Sequence, residues 1–368
     1  MAALNEIHQK AGAAIDDNRS AIAEAVTDRH FKLKPELEAR YGAAGRAKCL
    51  QDALFHLSYL SNALRVSRRL LFAYYVVWVR AMLAARGIPE KDLAEHLVVL
   101  RESLAETLPG DLSQIACEYV DFGLEHLGEI EDGFLQQQPQ PVISDKEPLS
   151  DLAAAYLDAL LRGRRDKASR LILEAVDSRA ASVREIYLHV FLKTQREIGR
   201  LWQLNRISVA QEHYCTAATQ LIMSQLYPYI FSTERNGRAL VATCVSGELH
   251  EIGVRMVSDF FELEGWDTFY LGANTPAPAI LQALKERNAE LIIISATMTF
   301  HIRGVGELIE KIRADEQTRN TLVMVGGYPF NAAPDLWREI GADGFSHDAP
   351  GAVETAGRLM SERKDTAQ

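Results

Sequence analysis

Beyond Asn236-Gly237 the chain falls into a strict alternation of short β-branched runs and amphipathic runs of helical period. RALVATCVSG, WDTFYLG, AELIIISAT and LVMVGG read as strands, while EIGVRMVSDFFELEG, PAPAILQALKERN, GVGELIEKIRADE and APDLWREIG read as helices. DGFSHD is a short strand or loop, and GAVETAGRLMSERK a closing helix. Alternation at this spacing implies βαβ units and a parallel sheet, so residues 238–363 are expected to form a Rossmann-like α/β domain. In such sheets ligands gather at the carboxyl ends of the strands.

The rest of the chain has a different grammar. Pro148 is followed by no proline until Pro228, and the stretch between reads as four helices, Leu149–Arg162, Lys167–Ser178, Ser182–Asn205 and Ser208–Ser232. Short connections make these an antiparallel bundle, residues 149–234. Residues 1–135 also read as helical, with leucine and alanine recurring every three or four positions. Gln- and Pro-rich residues 136–148 separate the two as a linker.

Composition removes several classes of function. Forty Lys and Arg against fifty Asp and Glu give a formal charge of −10 over 368 residues, the wrong sign for a surface built on phosphate contacts, so direct nucleic-acid binding is not expected. Cys49, Cys117, Cys215 and Cys244 are scattered, without zinc-site or disulfide spacing, which fits a reducing cytoplasm. The start is polar and is not a secretory signal, and Leu70–Val79 is too short to span a bilayer, so no membrane association is expected. GxGxxG, Walker and HExxH patterns are absent.

The first strand of the α/β domain runs into Val245-Ser246-Gly247-Glu248-Leu249-His250-Glu251-Ile252-Gly253. A histidine in this loop projects into the ligand crevice. Glu248, two residues earlier, can hold the imidazole through its other nitrogen, as carboxylates do for metal-bound histidines. Taken alone, His250 reads first as an ordinary exposed loop histidine. Two later loops weigh against that. Ser295-Ala296-Thr297 ends the third strand, with 41 residues between Gly253 and Ser295, and Gly326-Gly327 ends the fourth, with 28 residues between Thr297 and Gly326.

The combined pattern resembles the cobalamin-binding domain family, whose signature is D-x-H-x-x-G, then S-x-L, then G-G. The resemblance implies that His250 is the lower axial ligand of cobalt and Glu248 its orienter. It implies that Gly253 leaves room against the helix start, that Ser295 bonds the histidine network or the nucleotide tail, and that Gly326 and Gly327 admit that tail. Glu248 and Thr297 depart from the usual aspartate and leucine.

Trp202 and Glu212-His213, with nine residues between Trp202 and Glu212, resemble the helical cap of light-sensing adenosylcobalamin receptors. That resemblance implies an indole covering the adenosyl group, with Glu212 and His213 meeting its polar edge. The bland alternative is a core tryptophan beside a solvated pair. Light-dependent repressors of this kind carry histidine after the tryptophan, where this chain has Gln203, so a two-histidine photoproduct through that position is not expected.

The first domain loosely resembles a sensor-globin fold. Some multi-chromophore relatives, the photocobilins, add biliverdin to cobalamin. Phe72, Tyr74, Tyr75 and Trp78, with His56, Arg65, Arg68 and Arg69 nearby, suit such a chromophore through propionate–arginine pairs. They suit a plain core with a solvated arginine face equally well. Cys49 and Cys117 offer attachment points for a bilin, but read more simply as buried thiols.

The resulting expectation is a non-enzymatic light sensor that binds adenosylcobalamin, with no catalytic residue and His250 as its metal ligand. Photolysis of the Co–C bond would shift the cap and change homo-oligomer assembly or contact with a signalling partner protein. The alternative is a corrinoid methyl-carrier serving a separate methyltransferase. A third reading, the cobalamin subunit of a radical mutase, would need a barrel domain for substrate, and no (β/α)8 barrel fits in residues 1–135.

Overall fold

The computed structural model describes residues 2–128, 141–144, 146–231 and 233–366. The chain divides into two compact units, residues 1–136 and 137–368. The stretch expected as a linker, 136–148, falls partly outside the described residues. Among the described residues no helix is long and apolar enough to cross a membrane.

The first unit is helical throughout: α1 (Ala2–Asp17), α2 (Arg19–Leu33), α3 (Glu36–Arg65), α4 (Arg69–Ala84), α5 (Glu90–Thr107) and α6 (Gly110–Glu125). α4 carries the apolar run of the sequence and buries Leu71, Phe72, Ala73, Tyr74, Tyr75 and Val76. Tyr75 stacks on Tyr59 with ring centroids 3.7 Å apart, and its hydroxyl meets His56 Nδ1 at 2.7 Å. Burial holds the His56 imidazole down to about 4, so it is neutral in this core. His56, His96 and His30 form a buried row, with successive ring centroids 5.2 and 5.1 Å apart. Arg65 is not free to meet a propionate, because it grips Asp16 through Nε and a terminal nitrogen at 3.0 and 2.8 Å. Arg69 lies over the Phe122 ring, 4.2 Å from its centroid.

The second unit opens with a bundle: α7 (Ser150–Leu161), α8 (Arg165–Asp177), α9 (Val183–Glu185), α10 (Leu192–Gln203), α11 (Val209–Gln225) and α12 (Tyr227–Ile230). Ser182 and Ser208 each start a helix with a reciprocal capping box, closed by Glu185 and Gln211. The third helix expected from the sequence is continuous but contains a π-helical turn, Ile186–Phe191, between α9 and α10. That widened turn carries Tyr187 and Phe191, both fully buried.

The α/β part follows as β1 (Ala239–Val245), α13 (Ile252–Leu263), β2 (Asp267–Thr275), α14 (Ala277–Arg287), β3 (Leu291–Ser295), α15 (Ile302–Ala314), β4 (Leu322–Gly326), α16 (Tyr328–Ala332), α17 (Leu336–Glu339), β5 (Gly344–Phe345) and α18 (Ala349–Thr366). All pairings are parallel and the strand order is β2-β1-β3-β4-β5. This is the Rossmann-like arrangement expected from the alternation. In this order the chain reverses direction of winding between β1 and β3, and that switch point is where such sheets bind ligands.

α13 serves two cores at once. Met256 and Phe260, four residues apart, enter the core of the bundle, while Val254 and Phe261 enter the core over the sheet. The Tyr187 hydroxyl donates to Asp259 Oδ2 at 2.8 Å between the same two layers. Burial raises the Asp259 carboxyl to about 7. A carboxyl that holds its proton more tightly when folded stabilises the fold below its ordinary pKa, and that contribution is lost as the pH rises through about 7. We therefore expect the thermal midpoint to fall between about pH 5 and about pH 8, and to fall less in Asp259→Asn. Thermal unfolding followed by circular dichroism at the two pH values checks this.

Candidate functional site

The site forms where register brings three strand ends together. Cys244 of β1 pairs with Ser295 of β3, and Ser295 pairs with Gly326 of β4, so the three loops leave the sheet side by side. The loop after β1 turns at Gly247, whose φ of 85° is unfavourable for other residues. The Gly247 N–H donates to Asn274 Oδ1 at 2.7 Å, and the Asn274 N–H donates back to the Glu248 carbonyl at 2.9 Å. The end of β2 thus pins this loop in place.

Glu248 points inward and its side chain is wholly buried, whereas that of His250 remains 56% exposed. Glu248 Oε1 meets His250 Nδ1 at 2.6 Å and accepts the His250 N–H at 3.0 Å. Oε2 accepts the N–H groups of Thr297 and Met298 at 2.7 and 3.1 Å and meets His301 Nδ1 at 2.9 Å. Burial by itself raises the Glu248 carboxyl, but these hydrogen bonds together outweigh it and hold the group well below the usual carboxylate range. The charged Glu248 in turn raises the His250 pKa through its hydrogen bond, against desolvation, with a further contribution from the charge of Glu212.

Glu212, which adds this charge, belongs to α11 of the bundle. Its Oε2 meets His213 Nδ1 at 2.5 Å, and its Oε1 accepts the Thr216 hydroxyl at 2.9 Å. His213 is exposed, and Trp202, at the end of α10, is half-buried against the bundle core. Gln203 is buried in the same turn. Behind His250, Glu251 ties the bundle to the sheet. Its Oε1 accepts from Gln220 at 2.8 Å, and its Oε2 accepts from the Tyr270 hydroxyl and the Ala273 N–H at 2.9 Å each. Arg255 adds bonds to the Gln220 carbonyl and the Ser224 hydroxyl at 3.0 and 2.7 Å.

The residues singled out from the sequence are placed unevenly. Glu248, His250 and Thr297 meet directly, and Glu212 joins them through its charge. Ser295 does not share the histidine network: among the described residues its hydroxyl makes no bond to Glu248 or His250. The Thr297 and Met298 amides and His301 fill that role, within reach of a glutamate one methylene longer than aspartate. Gly253 is exposed, and a Cβ there would meet nothing within 4 Å. Gly327 has φ 104°, and a Cβ would run into the Ala296 carbonyl oxygen. At Gly326 a Cβ would sit 3.4 Å from the Ser346 carbonyl oxygen. Sequence reasoning missed His301, Glu251 and Asn274; His301, four residues beyond Thr297, carried a signal in its place just after a strand end.

The donor set suits a metal that arrives inside its own macrocycle. Among the described residues no group of three or more His, Cys, Asp or Glu side chains is arranged to hold a bare ion. One imidazole is presented with its Nδ1 engaged and its Nε2 unbonded among the described residues, beside the side-chain-free backbone of Gly326-Gly327.

Comparison with known proteins agrees with that geometry. One B12 binding domain model matches residues 238–356, and a second B12 binding domain model matches residues 152–227. Dimethylamine corrinoid protein 3 of Methanosarcina mazei is 32% identical over 123 residues, covering 33% of this chain and 72% of that protein. This chain belongs to the B12-binding corrinoid-protein family. The dimethylamine corrinoid protein of Methanosarcina barkeri is 28% identical over 225 residues, 60% of this chain and all of that protein. The solved structure of the Methanosarcina barkeri monomethylamine corrinoid protein covers 58% of this chain and 100% of its own, with a TM-score of 0.51 at 21% identity, a likeness of fold. The cofactor class of this corrinoid protein is thus a cobalamin. Neither B12 model reaches residues 1–136.

The glycines give a contrast to test. Gly327→Ala should cost about 1–3 kcal/mol from its left-handed backbone and the carbonyl it faces. Gly253→Ala, with open space and an ordinary backbone, should stay within about 0.5 kcal/mol. Urea unfolding of the two variants beside the parent chain measures both.

Proposed function

We propose that this chain is a corrinoid carrier, not itself an enzyme, that holds a cobalamin over His250 and works with a separate methyltransferase. The observation that carries the reading is the Glu248–His250 pair at the switch point, with the imidazole exposed and its Nδ1 engaged by a buried carboxylate. The names of the methylamine corrinoid relatives support the methyl-carrier role.

When bound, the corrin supplies a cobalt centre able to take up and release an alkyl group. The chain's part is to hold and enclose. Glu248 fixes the tautomer of His250 so that Nε2 is the nitrogen left for the metal. The bare backbone of Gly326 and Gly327 gives the nucleotide tail a place to lie, and Ser295, beside them in register, can bond that tail. Trp202, Glu212 and His213, on the bundle, would cover the upper side. Glu251 and Arg255 couple the bundle to the loop that bears His250, so the two move together.

A second reading, an adenosylcobalamin light sensor, is favoured by one observation. The Glu212 carboxylate is fixed by Thr216 and His213 at a place where its charge reaches His250. A carboxylate there suits ribose hydroxyls, and the neighbouring indole suits a bulky organic group, better than either suits a methyl. Biliverdin as a second chromophore in residues 1–136, and a signalling partner or a change of homo-oligomer, belong to this second reading.

One set of measurements separates them. Protein loaded with methylcobalamin should pass its methyl group to a thiol acceptor in the presence of a corrinoid-dependent methyltransferase. Its size by light scattering should be unchanged after green light. Loss of size or assembly on illumination of adenosylcobalamin-loaded protein, without methyl transfer, replaces the carrier by the sensor. In either case His250→Ala should weaken hydroxocobalamin binding by at least about tenfold in a spectrophotometric titration. Unchanged binding removes His250 from the metal and both readings with it.

A further inference from the structure

Glu248 has two oxygens, and the structure divides their work. Among the described residues Oε1 serves His250, through the ring nitrogen and the backbone N–H. Oε2 is held from the other side by Thr297, Met298 and His301. The two amides belong to the turn after β3 and are present whatever the side chains. Among the described residues His301 is the one side chain that reaches Oε2, from a single 3-10 turn, Thr299–His301, that leads into α15. Its side chain is 11% exposed, and its other ring nitrogen lies against Gly247, where an added Cβ would stand 3.2 Å from Nε2.

We propose that His301 is a positioning residue: it clamps Oε2 of Glu248 so that Oε1 stays aimed at His250 Nδ1, leaving His250 Nε2 free to bind a corrin-held metal. The inference rests on the carrier reading only in taking His250 as the ligand. The geometry explains why His301 is needed. A glutamate has one more rotatable bond than an aspartate, so its carboxylate can turn away from the imidazole unless both oxygens are held. The two amides hold Oε2 and the His250 N–H holds Oε1, and His301 adds a donor to Oε2 from a separate turn, which stiffens the carboxylate further against turning away from the imidazole. His301 also packs against the Gly247 turn, so the residue that orients Glu248 also supports the loop that carries it.

The test uses three variants of the whole chain and two readouts. In His301→Asn the amide nitrogen falls where Nδ1 stood, whereas in His301→Gln it falls near Nε2, and His301→Leu has no donor. Nitrogen-15 spectra of the cofactor-free protein report the tautomer of His250 directly. Titration with hydroxocobalamin reports affinity. We expect His301→Leu to mix the His250 tautomers and to weaken hydroxocobalamin binding by about 10–100-fold, the range found when a ligand's outer partner is removed. His301→Asn should recover most of both, and His301→Gln less. If His301→Leu fails to fold, the order of Asn over Gln still decides, and equal or reversed values overturn the proposal. Parent-like tautomer and affinity in all three also overturn it. Should His250→Ala itself bind hydroxocobalamin like the parent chain, the ligand reading has failed. Should His250→Ala lose binding while the His301 variants keep it, only the positioning role has failed.

Discussion

A carboxylate buried without solvent survives only if its oxygens are satisfied, and Glu248 is satisfied by five donors drawn from two loops. That requirement ties the end of β1 to the end of β3. It lowers the carboxyl's pKa, keeps the group charged, and through that charge keeps His250 basic. The exposed imidazole is therefore not a free loop side chain. It is the outer end of a rigid assembly anchored at the switch point of the sheet.

The second constraint is mechanical. α13 begins two residues after His250 and lends its apolar residues to two cores, Met256 and Phe260 to the bundle and Val254 and Phe261 to the sheet. Glu251, which caps the same helix, and Arg255, on its first turn, bond to α11. A displacement of the bundle is thus felt within one helical turn of His250. Any change in what the bundle rests upon has a short physical route to His250, and the reverse route is equally short.

The first unit lies outside the matched B12 models. Its buried histidines and stacked tyrosines are arranged as a polar seam in a helical core, with His56 kept neutral by burial. Arg65, one of the cations that suited a propionate in the sequence, is committed to Asp16. Helical periodicity reports which face is buried but not which cation finds which anion, so this pairing was invisible before the fold was known.

The periodicities alone were enough to specify the helical regions, the parallel α/β domain and the carboxyl-end location of the site, because a period of two or of 3.6 residues fixes which side chains can share a face. The histidine and its glutamate were legible too, being two residues apart in one loop. The bonds that make them a site were not. Glu248 and His301 are separated by 53 residues. Only the register of β1 against β3 brings them together, and only the length of the glutamate side chain decides that His301 and two amides, rather than Ser295, complete the network. Local sequence carries local geometry. The partners of a buried charge are chosen by whichever donors the folded chain places within about 3 Å of it, and that choice belongs to the tertiary structure.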